Sequence, residues 1–461
     1  MVQAAHQAQQ LWAALDIAER CRQVMAFRDV IVRDVDEIVE LVSAECGKPR
    51  AEALMHEVMP AVDQLTYFAK QAPRWLGRES IALHMLKYRA SYKYYAPLGV
   101  IAVIAPWNYP FVIPMGDIAC GLLAGNAVVL KPSEITPMVG LKIKELYDRS
   151  GLPPDLFQVV TGGAGVGQAL IDSGVNKVVF TGSVNAGRSV ALACAKHLIP
   201  CTLELGGKAA AMVCEDAQLE QAAQSVVWGG FANSGQICMS VERVYDHASG
   251  YDRFVQRVVE LTQQLRQGDP ADLKVDLGSM TFPRQVEIAE ALIADAVQQG
   301  AVIHTGGKRR GGQGMFFEPT VLGDCTQQMR VMREEIFGPV IPIMKVQSDE
   351  EALRLTNDSE LGLMGYVFCS DRAKAKRMAE QVRAGVVMIN GVLEAYGCPE
   401  APFGGVKHSG YGRVHGKEGM RAMCEVRHIN YDRIRLSRSP FAFPYTARVY
   451  QWAQRFLKWW Y

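Results

Sequence analysis

No run of eighteen apolar residues occurs in this 461-residue chain, so no segment is built to cross a bilayer as a helix. The N-terminus lacks a basic stretch followed by an apolar core, which argues against a secretory signal. Neither sign of charge dominates: 49 Lys and Arg against 48 Asp and Glu leave a formal +1, too little to draw the chain to nucleic acid. The eleven cysteines are irregularly spaced and include no C-x-x-C pair, which excludes a disulfide framework and points to a reducing cytoplasm. Cys194, His197 and Cys201 follow one another as C-x2-H-x3-C, but no second cluster completes four ligands, so no metal site is expected. Internal repeats and low-complexity linkers are also missing.

What is present describes a large folded interior. The chain is 49% apolar and 21% charged, and it is too long for one hydrophobic core, so two or three domains are expected. Residues 1 to about 75 read as helices. One covers Val30 to Leu41 and stops at Gly47-Lys48-Pro49; another runs from about Arg50 to Ala72. Tyr88 to Tyr95 alternates like a half-exposed strand. From Gly99 the pattern changes to continuous apolar runs, Val100–Ala105, Ala127–Leu130, Phe157–Val160 and Lys177–Phe180, separated by helices. Such strands are buried on both faces, and their alternation with helices predicts an α/β fold with a doubly wound parallel sheet. A similar alternation over 205–410 predicts a second α/β domain, with the boundary near Leu203 to Gly207.

Ligands of such sheets bind at the carboxyl ends of the strands. Those ends carry Trp107-Asn108, Lys131 and Glu134, Thr161-Gly162-Gly163, and Gly182-Ser183. Gly182 to Gly187 follows a strand and starts a helix, where backbone N–H groups bind phosphate; it reads equally as a tight turn, since it is not G-x-G-x-x-G. Lys131 and Glu134 suit the two hydroxyls of a ribose, or form a surface ion pair. A carboxylate there repels a 2′-phosphate and so favours NAD over NADP. Glu204, a lone carboxylate between leucines and before Gly206-Gly207, is expected to be buried, either as a general base of raised pKa or as a carboxylate satisfied by backbone N–H groups. Asn108 can donate to an oxyanion or form a turn. Cys238, in Gly-Gln-Ile-Cys-Met-Ser (235–240) between a helix-like run and a strand-like run, lies on a turn with space around the sulfur. Alone it reads more readily as a packed cysteine than as a nucleophile. Two further loops, 334–339 and 402–410, combine Pro, Gly and one Phe each and can close a site.

Seven motifs occur in a familiar order: Pro-Trp-Asn-Tyr-Pro (106–110), Lys-Pro-Ser-Glu (131–134), Phe-Thr-Gly-Ser (180–183), Glu-Leu-Gly-Gly-Lys (204–208), Gly-Gln-Ile-Cys (235–238), Glu-Ile-Phe-Gly-Pro (335–339) and Pro-Phe-Gly-Gly-Val-Lys-His-Ser-Gly (402–410). Over about residues 11–435 the chain resembles the aldehyde dehydrogenase superfamily. The resemblance implies Cys238 as nucleophile, Glu204 as general base and Asn108 in the oxyanion hole. It implies Trp107, Lys131, Glu134, Gly182, Ser183, Gly187, Glu335 and Phe337 around NAD, with NADP as the alternative cofactor, and no metal. It further implies a Rossmann-like cofactor domain (1–86 and 97–204), a catalytic domain (205–410), and a small β oligomerisation element (87–96 and 425–435) that makes a homo-oligomer, expected to be a dimer. The substrate is expected to be a small aldehyde, aliphatic and of medium or long chain. An aromatic aldehyde or semialdehyde, transfer to coenzyme A, and a non-catalytic assembly protein are the alternatives. Glu204 in its motif favours hydrolysis.

The chain departs from most members at both ends. The short strands that usually precede the first helices are missing, as in the branch that handles fatty and aromatic aldehydes. Residues 436–461 form a basic aromatic tail. Six basic residues and no acid lie in 433–461, and nine aromatics lie in 441–461. Val449, Trp452, Phe456, Trp459 and Trp460 fall near one helical face. This predicts either an amphipathic helix on the inner face of a membrane or a tail packed on the partner subunit.

Overall fold

The computed structural model describes residues 1–311, 314–439 and 441–461. Two sheets dominate. The first has the order Phe157–Val159, Ala127–Lys131, Val100–Ile104, Lys177–Thr181, Cys201–Glu204 and Gly410–Tyr411, parallel except for the last strand. Its central members are buried along their whole length, which is why their sequences show apolar runs rather than alternation. The chain winds outward from Val100–Ile104 to one edge, then returns to the other side of the same strand at Lys177–Thr181. That reversal opens a crevice beside the carboxyl end of Val100–Ile104.

The second sheet has the order Val302–Thr305, Thr320–Gly323, Val340–Val346, Val241–His247, Ala209–Val213, Met364–Phe368 and Val386–Ile389. Only its first pair is antiparallel. Both sheets lie in one compact unit made of residues 1–76 and 96–425; residues 77–95 and 426–461 make a second.

The N-terminal helices are Val2–Ala13, Ile17–Arg33 and Val35–Cys46. The helix expected over Val30 to Leu41 is broken at Asp34, whose φ of −103° and ψ of 24° leave the helical range. Asp34 is buried there and paired with Arg149 at 2.8 Å. The helix expected from Arg50 to Ala72 is also interrupted. Ala53–Val58 widens into a π turn before Met59–Trp75 resumes the α form. The flanking Glu52 and the enclosed Glu57 are both buried and bond to backbone of the site described below.

Glu79–Ser80, Arg89–Pro97 and Cys424–Asp432, most of whose residues belong to the second unit, form a three-stranded sheet. The tail forms the helix Ala447–Trp460, capped by Thr446. Trp452, Phe456 and Trp460, spaced four apart, stack at 5.5 Å each. Trp459 remains 76% exposed, and no residue of this helix is buried.

Candidate active site

Cys238 sits between the helix Leu219–Phe231 and the strand Val241–His247, on a backbone forced into an unusual path. Asn233, Ser234 and Gly235 all have positive φ, 49°, 53° and 71°. Each left-handed non-glycine residue costs about 1–2 kcal/mol, so the turn persists only because its surroundings hold it. Glu52 accepts from the Asn233 N–H at 2.9 and 3.1 Å. Ser234 donates to the Gly278 carbonyl at 3.1 Å. Gln236 accepts from the Thr281 N–H at 2.9 Å. Gly235 is required: a Cβ there would lie 2.1 Å from the Gly338 carbonyl oxygen.

This turn brings Cys238 against residues of the first sheet. Asn108, just past the carboxyl end of Val100–Ile104, donates its amide to the Gln236 carbonyl at 2.9 Å. The amide NH2 has two hydrogens, and its second meets no acceptor among the described residues. Burial, then the nearby Glu335 and Glu204 carboxylates, push the Cys238 thiol up to about 12.

Glu204 ends the strand Cys201–Glu204 and is buried. Neither of its carboxylate oxygens has a hydrogen-bond partner among the described residues. Burial, with the Asp117 carboxylate nearby, holds its pKa well above the usual carboxylate range, against the pull of Arg413. Glu204, Cys238 and Asp117 line a pocket of about 20 Å³, closed by Ile113, Tyr396 and Phe403. That volume accommodates about one water molecule. The 402–410 loop builds this pocket from the other side: Gly410 pairs with Glu204 across the sheet edge, and Phe403 faces inward.

A larger cleft of about 970 Å³ adjoins it. All of the cofactor residues expected from the sequence line it except Gly187, which packs beneath: a Cβ there would lie 2.4 Å from Leu205 Cδ2. Ser183 caps the helix Val184–Lys196 by accepting from the Ala186 N–H at 3.3 Å, so a helix N-terminus faces the cleft. Lys131 and Glu134 pair at 3.2 Å on one wall. Glu335 accepts from the Gly207 N–H at 2.8 Å, and desolvation together with Glu242 raises its carboxyl to about 8. Trp107 and Phe337 meet edge to face at 5.4 Å. A helix terminus for phosphate, a Lys–Glu pair for ribose and two rings form a donor set that fits a dinucleotide.

The sheets meet end to end. The first presents the carboxyl ends of its strands to the cleft, whereas Cys238, Glu335 and Gly206 lie before the amino ends of strands of the second. Gly207 makes the junction tight, because a Cβ there would be 2.1 Å from the Cys238 carbonyl oxygen.

Several supporting residues were invisible to sequence reasoning. Lys48, read as part of a helix stop, is fully buried. Its ammonium donates to Glu57 at 2.7 Å and to the Asn108 carbonyl at 2.8 Å, and sits 3.8 Å above the Tyr109 ring. Glu57 in turn accepts from Phe111 and Val112, the start of the next helix. Glu242 accepts from the Ile336 and Phe337 N–H groups at 2.8 and 2.7 Å and pairs with Lys208 at 2.8 Å, which anchors the 335–337 loop. In the C-x2-H-x3-C segment, His197 pairs with Asp172 at 2.6 Å while Cys201 meets the Tyr411 hydroxyl at 3.0 Å. Cys214, Asp216 and Cys369 cluster elsewhere, but Asp216 already accepts from the Asp371 N–H and faces Lys374.

The aldehyde dehydrogenase family model matches residues 1–429. A 4,4'-diapolycopene aldehyde oxidase of Methylomonas is 39% identical over 449 residues, covering 97% of this chain and 84% of that protein. A betaine aldehyde dehydrogenase of Cereibacter sphaeroides is 38% identical over 425 residues, covering 92% and 86%. Among solved structures, PnpE from Pseudomonas in complex with nicotinamide adenine dinucleotide is similar with a TM-score of 0.91 and 34% identity, over 95% of this chain and 90% of that one. With the family match running from residue 1 to residue 429, the chain belongs to the aldehyde dehydrogenase family, a family of oxidoreductase enzymes.

Proposed function

We propose that this enzyme oxidises a lipophilic aliphatic aldehyde of medium or long chain to the carboxylic acid with NAD, and releases the acid by hydrolysis. One observation carries the reading: Glu204, without a hydrogen-bond partner among the described residues, shares a water-sized pocket with Cys238. The Cys238 thiol gives up its proton to solvent, its sulfur bonds to the carbonyl carbon as the C=O π bond opens, and the free N–H of Asn108 with the Cys238 backbone N–H stabilises the oxyanion. NAD held in the cleft would supply the acceptor for the aldehyde hydrogen and its electron pair, so that the acyl carbon would remain on Cys238 as a thioester. Glu204 then takes a proton from water, the water oxygen bonds to the acyl carbon, and the C–S bond breaks to restore Cys238. Lys131 and Glu134 would hold the adenosine ribose, Ser183 and its helix terminus the pyrophosphate, and Glu335 with Phe337 the nicotinamide end. Residues 1–86 and 97–204 would act as the cofactor domain and 205–410 as the catalytic domain.

Relatives are named for 4,4'-diapolycopene aldehyde, succinate semialdehyde and betaine aldehyde. No Lys or Arg among the described residues lines the inner pocket, where Asp117 and Glu204 face Ile113, Leu363, Tyr396, Phe403 and Val414, so nothing there pairs with the free carboxylate of a semialdehyde. Incubation with NAD and hexanal is expected to yield hexanoic acid and NADH without coenzyme A. Over a panel of aldehydes, kcat/KM should rise with chain length and exceed that for succinate semialdehyde and betaine aldehyde. A requirement for coenzyme A, or preference for either charged aldehyde, refutes this reading.

The reading extends to assembly and location. The strands Arg89–Pro97 and Cys424–Asp432 would pair two copies of the chain into a cytoplasmic dimer. The exposed aromatic face of Ala447–Trp460, flanked by Arg448, Arg455 and Lys458, supports contact with an anionic membrane surface, where lipophilic aldehydes concentrate. No described helix is long and apolar enough to cross a membrane, so the contact would be peripheral. In a flotation assay the full-length protein should rise with anionic vesicles and be released by salt. Protein that stays in the soluble fraction at low salt rules the membrane contact out.

A further inference from the structure

The inner pocket holds a second carboxylate that the mechanism above does not use. Asp117 lies in the middle of Val112–Leu123, a helix buried along its entire length. A carboxylate in such a place is costly unless something compensates it. Asp117 makes no hydrogen bond to any described residue, and its carboxylate lines the same pocket of about 20 Å³ as Glu204 and Cys238. Two carboxylates around a space for about one water cannot both remain ionised at low cost. We propose that Asp117 and Glu204 share a single proton across this pocket, and that Asp117 receives it as Glu204 takes a proton from the hydrolytic water. This rests on the hydrolytic reading above.

The surroundings set where the shared proton rests. Burial raises the Asp117 carboxyl to about 7, and Lys177 on the neighbouring strand opposes that rise. Lys177 itself is buried and held by Thr202 at 2.9 Å. Glu204 is lifted further and has Arg413 as its opposing charge. The other titratable neighbours are Cys120 on the same helix, Tyr396 and Cys238, whose ordinary forms are neutral, and His415, which burial lowers to about 3 and so keeps neutral. The shared proton therefore rests on Glu204, and Asp117, stabilised as an anion by Lys177, is open to take it when Glu204 accepts from water. In the balanced step, an O–H bond of water breaks as its oxygen bonds to the acyl carbon. Glu204 passes the shared proton to Asp117 as it takes the proton of the water, and the C–S bond breaks to give the acid and the Cys238 thiolate. The carboxyl pair returns its extra proton to solvent before the next turnover.

Asp117→Asn keeps the shape and removes the acid. We expect the first-turnover NADH burst to persist while steady-state turnover falls by about 10- to 100-fold. Loss of the like charge lowers the pKa of Glu204, so the acid limb of kcat against pH should move to lower pH. A variant with wild-type kcat and an unmoved limb overturns the inference, as does one that loses burst and turnover equally. Should the variant fail to fold, infrared titration of the wild type decides. A protonated buried carboxyl must be visible at neutral pH and must ionise at lower pH in Glu204→Gln; its absence overturns the inference. If the wild type oxidises no aldehyde, the underlying reading has failed instead, and the two failures are distinct.

Discussion

Cys238→Ala is expected to lower steady-state NADH formation by about a million-fold, the loss seen when a nucleophile that works as part of a unit is removed. NAD affinity should stay at the wild-type value, because the cleft residues that fit the dinucleotide surround Cys238 without depending on its sulfur. The test compares NADH formation with cofactor binding in the same variant. Retained turnover would transfer the nucleophile to another cysteine, and lost binding would make Cys238 a structural residue of the cleft. A pH series of the wild-type protein adds a second check. The thiol is pushed up to about 12 by burial and then by Glu335 and Glu204, so without cofactor its alkylation rate should rise with pH throughout the neutral range.

Glu204→Gln should separate the two halves of the reaction. In the proposed mechanism acylation uses Cys238 and Asn108 and not Glu204, so a burst of about one NADH per site is expected. Hydrolysis needs a base, so turnover should then fall by about 10²- to 10⁴-fold and acyl-enzyme accumulate. Rapid-mixing absorbance gives the burst, and mass spectrometry of the quenched protein gives the thioester. Steady turnover without accumulation sinks the role of Glu204 as base. In the wild type, a base whose pKa lies well above the usual carboxylate range is ionised only above that raised value. Hydrolysis should therefore rise with pH through a limb higher than an ordinary glutamate gives.

Much of this arrangement was legible along the chain because it rests on local rules. The runs at Val100 and Ala127 read as buried strands since both their faces are covered, and the helix Leu219–Phe231 and the strand after Cys238 follow from periodicity and turn residues. Glu204 could be expected to be buried because leucines flank it. Gly47-Lys48-Pro49 does stop its helix, with Gly47 left-handed at the C-cap, but nothing local tells a solvated lysine from one buried over a tyrosine ring. Asp117 gave no signal, being one acid in an apolar helix. The breaks at Asp34 and Ala53–Val58 escaped periodicity because distant partners such as Arg149 compensate them.

By itself the amino-acid order determined the alternation of strands and helices, the turn that carries Cys238, and the seven motifs that mark the family. These depend on neighbours within a few positions, where backbone preference and side-chain spacing act. Tertiary structure alone decided that the carboxyl ends of one sheet face the amino ends of the other, that three left-handed residues are held by Glu52 and the Gly278 carbonyl, and that Asp117 joins Glu204 at a water-sized pocket. The physical reason is that burial, close approach and the coupling of charges belong to side chains brought together from separate elements. Their energies are set by packing, which no single stretch of the chain contains.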